Sequence, residues 1–174
     1  MNAASSVDDP TSQWRDRFGD CPPAGYWCRD AFPALWFRIH SLPGSKRYPS
    51  APSEYAELLR RHNAVATSIL GEGEACFVYA RFISDTAEPS GAPERVDHLR
   101  QPLLWQPNLS VVEDDEVPAW LHFAAARIEW ASSRFDTSIC AVADEASSPL
   151  LFFNAVRQTI YAPYDGGADL FLSS

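Results

Sequence analysis

Between residues 53 and 71 the apolar side chains recur at a spacing that an α-helix satisfies. Tyr55, Leu58, Leu59, His62, Val65, Ala66, Ile69 and Leu70 fall three and four apart, while Glu54, Glu57, Arg60, Arg61 and Asn63 lie mostly elsewhere, the pattern of a helix that buries one stripe. Ser53 is an N-cap candidate, Glu54 and Glu57 place acids where the helix dipole favours them, and Gly71 supplies the stop. Ahead of it, Leu42–Pro52 holds three prolines and a glycine in eleven residues, so it is an irregular connection.

Strand signals surround this helix. In Ala34–His40, Leu35, Phe37 and Ile39 alternate with Trp36, Arg38 and His40, the period of a half-buried strand. Glu74–Ile83 is rich in aromatic and branched residues and predicts a second strand. Leu103–Val112 predicts a third, broken at Pro107 and closed by the acidic run Glu113–Glu116. Trp120–Trp130 is ambiguous, because Ala124, Ala125 and Ala126 favour helix while Trp120, His122, Ile128 and Trp130 alternate; strand is preferred. Ser132 or Ser133 can cap a helix whose Phe135, Ile139, Val142 and Ala143 share a face. Leu150–Asn154 and Thr159–Ala162 suggest a hairpin, and the turn signal Asp165-Gly166-Gly167 precedes a strand at Ala168–Leu172. Near the start, Gln13–Phe18 predicts a short helix and Cys21–Gly25 a loop, while residues 1–10 have the composition of a mobile leader.

Helices and strands do not alternate regularly, which favours an α+β fold: a single domain over residues 11–174, with a largely antiparallel sheet packed against two main helices. Its expected core is Leu58, Leu59, Val65 and Ile69 with Phe37, Ile39, Val78, Phe82, Ile139 and Phe152. The 174 residues suit one domain, and a 46% hydrophobic content is ample for a core. No stretch approaches the length of a membrane span, and Met1–Pro10 lacks the basic start and apolar run of a signal peptide. A cytoplasmic protein is expected, with reduced thiols, Cys76 and Cys140 in the core, and no cofactor. The net charge of −9 repels phosphate backbones and anionic membranes and suits a protein partner with a basic surface. Oligomeric state is left open.

Familiar catalytic spacings do not occur. Gly71-Glu72-Gly73 runs from helix into strand, the wrong order for a nucleotide loop, and no Gly-x-Ser-x-Gly exists. His40, His62, His98 and His122 offer no helical pair, and Cys21 and Cys28 are too widely spaced for a zinc knuckle. Two constellations remain. Arg38, His40, Lys46 and Arg47, with Tyr48 nearby and His62 on the helix, could converge on an anion or act as acid and base; equally, they could be an exposed strand face, a solvated loop and a hydrogen-bonded core histidine. Glu113, Asp114, Asp115 and Glu116 must face solvent, a cation or a basic partner, and they lack the alternating ligands of a calcium loop.

The strings Trp36-Phe-Arg38-Ile-His40-Ser-Leu-Pro43, Ser45-Lys-Arg-Tyr-Pro49, Glu54-Tyr55, Leu58-Leu59 and Arg61-His62-Asn63 resemble a group of uncharacterised bacterial proteins. Ile160-Tyr161, Tyr164-Asp165 and Asp169 are similar to the ending of a bacterial domain family of unknown function. Together they cover about half the chain and imply a bacterial cytosolic protein with no established activity. On these grounds the expected function is protein binding, most concretely an immunity-type inhibitor of a bacterial toxin. A small hydrolase or transferase using His40 or His62 with Arg38, Lys46 or Arg47 is the alternative.

Overall fold

The computed structural model describes residues 9–93, 102–113 and 119–173. Its elements are α1 (Pro10–Phe18), α2 (Gly25–Ala31), β1 (Trp36–His40), α3 (Pro52–Leu70), β2 (Ala75–Ser84), β3 (Leu104–Trp105), β4 (Val111–Glu113), β5 (Ala119–Glu129), α4 (Asp136–Ala143), β6 (Leu150–Asn154), β7 (Thr159–Tyr164) and β8 (Gly167–Phe171). The strands form one sheet in the order β1-β8-β7-β6-β2-β5-β3, with β4 also pairing with β5, and every pairing is antiparallel. The fold is α+β, as expected.

Both faces of this sheet are covered. Along β2, Cys76, Val78 and Ala80 join Leu58, Ala66 and Leu70 of α3 and Ile139 of α4 in one core. The alternate residues Phe77 and Tyr79 join Trp14 and Phe18 of α1 and Cys28 of α2 in a second. A strand with helices on both sides can be apolar at every position, and β6 and β8 are buried throughout. Four helices, rather than two, therefore do the covering.

The second layer was only partly expected. Helix α1 begins at Pro10 and is capped by Asp9, whose carboxylate accepts from the Ser12 amide at 3.0 Å, so Asp9 and Pro10 of the expected 1–10 leader belong to the helix and its cap. Tyr79 donates its hydroxyl to the Pro10 carbonyl at 2.7 Å, and the Trp14 indole donates to the Cys21 carbonyl at 2.6 Å, fastening α1 to the sheet and to the next loop. No residue pattern announced α2, a seven-residue helix with glycine at its first position.

Other details depart from expectation. Ala51, not Ser53, is the N-cap residue of α3, and no side chain caps the helix there; instead the Glu54 carboxylate turns back to accept from the Ser50 amide at 2.7 Å. Phe37 is 54% exposed, because β1 is an edge strand whose Trp36 packs against the α1 side of the sheet and whose Ile39 packs against the α3 side. Cys140 is half-buried on α4. Pro107 does interrupt the third strand, splitting it into β3 and β4 around a short 3-10 turn, and Trp120–Trp130 contains β5, the long partner of β2.

Polar contacts fix α3 in place. His62 is 1% exposed, with Nε2 2.8 Å from the Ser41 hydroxyl and Nδ1 2.7 Å from the Tyr161 hydroxyl on β7. Asn63 donates to the Asp136 carboxylate at 2.7 Å and accepts from the Ser133 amide at 2.8 Å, joining α3 to the start of α4. Burial pulls the His62 pKa down to about 4. The unfolded chain, with an imidazole near its ordinary value of 6.5, takes up a proton that the folded chain refuses. Stability from this residue is therefore fully present above the ordinary value and is lost as pH falls toward 4.

Two measurements test this packing. Truncation of the fully buried Leu58 to Ala should cost about 2–5 kcal/mol in denaturant unfolding, and Leu59→Ala, at a half-buried site, less. Between pH 6.5 and 4 the wild-type protein should lose on the order of 3 kcal/mol through His62; His62→Gln should flatten that slope, and an unchanged slope would show that the imidazole is not held neutral.

Candidate functional site

The two strings singled out in the sequence lie side by side. Strand β1 pairs with β8 in the register Arg38↔Asp169 and His40↔Gly167. Asp169 is 5% exposed, and its Oδ1 accepts from the Trp36 indole at 2.9 Å and from Arg38 Nε at 3.0 Å. The Arg38 guanidinium lies over two rings, 5.1 Å from the centre of Trp36 and 5.0 Å from that of Tyr164. At Gly167 the strands come so close that a Cβ would overlap the Ile39 carbonyl oxygen, so only glycine fits.

The remaining residues of the first string are drawn into separate contacts. Lys46 is held by Glu54, with Nζ 2.6 and 2.7 Å from its carboxylate oxygens; that lysine, then the Ser50 amide, pulls the Glu54 pKa down to about 2. Arg47 pairs through Nε with Asp165, which also accepts from the Tyr48 hydroxyl at 3.0 Å. His40 is exposed and lines a shallow groove with Pro43, Gly44 and Arg61, while its carbonyl accepts from Arg61 at 3.3 Å. His62 is not part of that groove's lining, since it points into the core. Arg38, His40 and Arg47 line three separate cavities, while Lys46 is engaged by Glu54 and His62 by Ser41 and Tyr161.

Arg38 alone of the five lines a cleft of about 260 Å³ beside α2. Arg29, Arg81, Tyr26, Tyr164 and Asp169 are also in its wall. Arg29 and Arg81 belong to neither of the two constellations legible in the sequence. Arg81 lies within β2, a run read only as an apolar strand, and the available signal was a single guanidinium interrupting that run.

The opposite margin of the sheet is built from short pieces. β3 has two residues and β4 three, both pairing with β5. Leu104 and Val112 are exposed there by 64% and 45%, on opposite faces of the sheet, and Ile83 near the end of β2, on the Leu104 face, by 62%. Glu113 is the last residue of β4 and opens the acidic run, while Asp114, Asp115 and Glu116 lie outside the described residues. Nearby, His122 is 1% exposed, with ring nitrogens 3.0 Å from the Ser84 and Ser110 hydroxyls, which ties the ends of β2 and β5 to the β3–β4 connection.

Among the described residues, no group of three His, Cys, Asp or Glu side chains could hold a metal ion, and no helix is long and apolar enough to cross a membrane. The Cys21 and Cys28 sulfurs are 4.0 Å apart as free thiols. Hydrogen bonding to Cys28 lowers the Cys21 pKa, and the same bond with burial raises that of Cys28 well above the usual thiol value.

No curated protein and no solved structure matches the chain. A family profile described as a domain of unknown function (DUF3885) matches residues 24–174, a span that takes in every strand and three of the four helices but leaves out α1. The chain belongs to the DUF3885 family of domains of unknown function.

Proposed function

We propose that the protein is a cytoplasmic binding module that covers a basic protein surface, most concretely an immunity-type inhibitor occluding a bacterial toxin. What supports this reading is the β3–β4 margin, where exposed Val112 lies on the same sheet face as Trp105 and Trp120, exposed Leu104 lies on the other face, and β4 leads into Glu113–Glu116. Apolar contacts ringed by charge are how specific interfaces are built, and an acidic patch on a chain of net charge −9 speeds encounter with a cationic partner. The partly buried rings of Trp105 and Trp120 lie in the same strands and can serve as anchors.

The enzyme alternative, a hydrolase or transferase using His40 and His62, asks both imidazoles to reach one substrate. The full engagement of His62 with Ser41 and Tyr161 inside the core weighs against it.

Recovery of a partner from the native host, and stopped-flow association with it at two salt concentrations, test the binding reading. Replacing Glu113, Asp114, Asp115 and Glu116 with Gln and Asn should slow association by about tenfold at low salt and weaken its salt dependence, with little change in stability. On-rates equal to wild type at both salt concentrations would overturn steering by the acidic run.

A further inference from the structure

Arg81 presents an unusual combination. Its Nε is buried and has no hydrogen-bond partner among the described residues, although buried guanidinium donors are normally satisfied. Its guanidinium carbon sits over the Tyr26 ring, 5.3 Å from the ring centre, a cation–π contact. Both residues line the cleft of about 260 Å³ into which Arg38 also faces.

We propose that this cleft is a binding site for a small organic oxyanion, a phosphate or carboxylate carried on a compact apolar body. Three guanidiniums, from Arg29, Arg38 and Arg81, line a cavity that contains one carboxylate, Asp169. That carboxylate is already committed, because its Oδ1 receives both the Trp36 indole and Arg38 Nε. The ion partner of Arg29 is its exposed chain neighbour Asp30, a pairing with little hold on the side chain. The cleft therefore gathers positive charge in a chain of net charge −9, and a guanidinium fork is suited to the paired oxygens of carboxylate or phosphate.

The position of Arg38 over the Trp36 and Tyr164 rings, and of Arg81 over the Tyr26 ring, restricts both side chains before a ligand arrives, which lowers the ordering cost of binding. Leu151, Ala162 and Pro163 supply apolar wall. The volume falls just below the usual range for ligand sites, so it suits one small molecule rather than a polymer, and the overall negative charge also opposes a polyanion. Gly25 borders the cavity, where a Cβ would stand 3.1 Å from Ala162 Cβ and 3.5 Å from Asp169 Oδ2; the missing side chain lets α2 pack close against β7 and β8 at this wall. None of these residues belongs to the acidic run, so the inference is independent of the docking reading.

The test is calorimetric titration of the full chain with phenyl phosphate and, separately, with benzoate. Saturable one-to-one binding of at least one probe at roughly millimolar concentration or below is expected, and which probe binds tells phosphate from carboxylate. Arg81→Met should weaken that binding at least about tenfold, while the unliganded melting temperature stays level or rises, because an unsatisfied buried donor has been removed. Arg81→Lys, which keeps the charge but not the fork, should fall between the two, and Arg60→Gln, on an exposed face of α3, should bind like wild type. Neutralising Glu113–Glu116 should leave probe binding intact. Failure of both probes to saturate, binding unaltered by Arg81→Met, or a loss of stability on Arg81→Met comparable to a core truncation would each overturn the proposal, the last by showing that Arg81 is structural.

Discussion

A carboxylate removed from water at the margin of a sheet has to be met by strong donors, and Asp169 is where that requirement shapes this fold. Its acceptance of the Trp36 indole and of Arg38 Nε joins β8 to an edge strand that has no other strand beside it. Removing either partner would leave a buried charge short of donors, a loss much larger than the contact's own contribution. From that point the neighbouring contacts follow in order along the chain. Gly167 lets the backbones close, Asp165 takes Arg47 and Tyr48, and Ser41 passes the connection to His62 and so to α3.

The rest of the architecture answers a second requirement, that a sheet apolar on both faces needs two covers. α3 and α4 form one and α1 and α2 the other. The family match begins at residue 24 and so excludes α1, yet Trp14 of that helix is fully buried against Tyr79 and Phe153. In this chain the segment ahead of the shared domain is part of the core that the domain needs.

Period and breakers made much of this readable from the residues. The three- and four-residue spacing from Tyr55 to Leu70 is α3, Pro107 does divide a strand, and alternation rather than alanine content decides residues 119–129. Alanine loses there because β5 is paired along its length with β2, and tertiary pairing outweighs intrinsic preference. What stayed hidden was whatever depends on which strand lies at an edge. Alternation in β1 placed Phe37 opposite Trp36, on the face of Ile39, but could not say that the cover over Ile39 would stop short of Phe37. The candidate residues were hidden in a similar way. Spacing located Arg38 and Lys46, but whether a cation meets an open cleft or a neighbouring acid is decided by residues more than a hundred positions away for Arg38 and eight away for Lys46. Arg81 became notable only once its neighbours in space were known.

The pairing of β1 with β8 also has a consequence in time. Trp36 and Arg38 meet Asp169 across 133 and 131 residues of chain, so the strand made early waits for one made late. At bacterial and eukaryotic synthesis rates of roughly 5–20 residues per second, that interval is on the order of ten seconds. Throughout it, the Trp36 and Arg38 side chains lack the carboxylate that orders them, and the cleft lacks the wall supplied by Ala162–Tyr164 and Asp169. The contact is also among the most costly in loop-closure entropy, which places it late in refolding from denaturant. The cleft is thus closed only once synthesis has passed Asp169 and β8 has paired with β1.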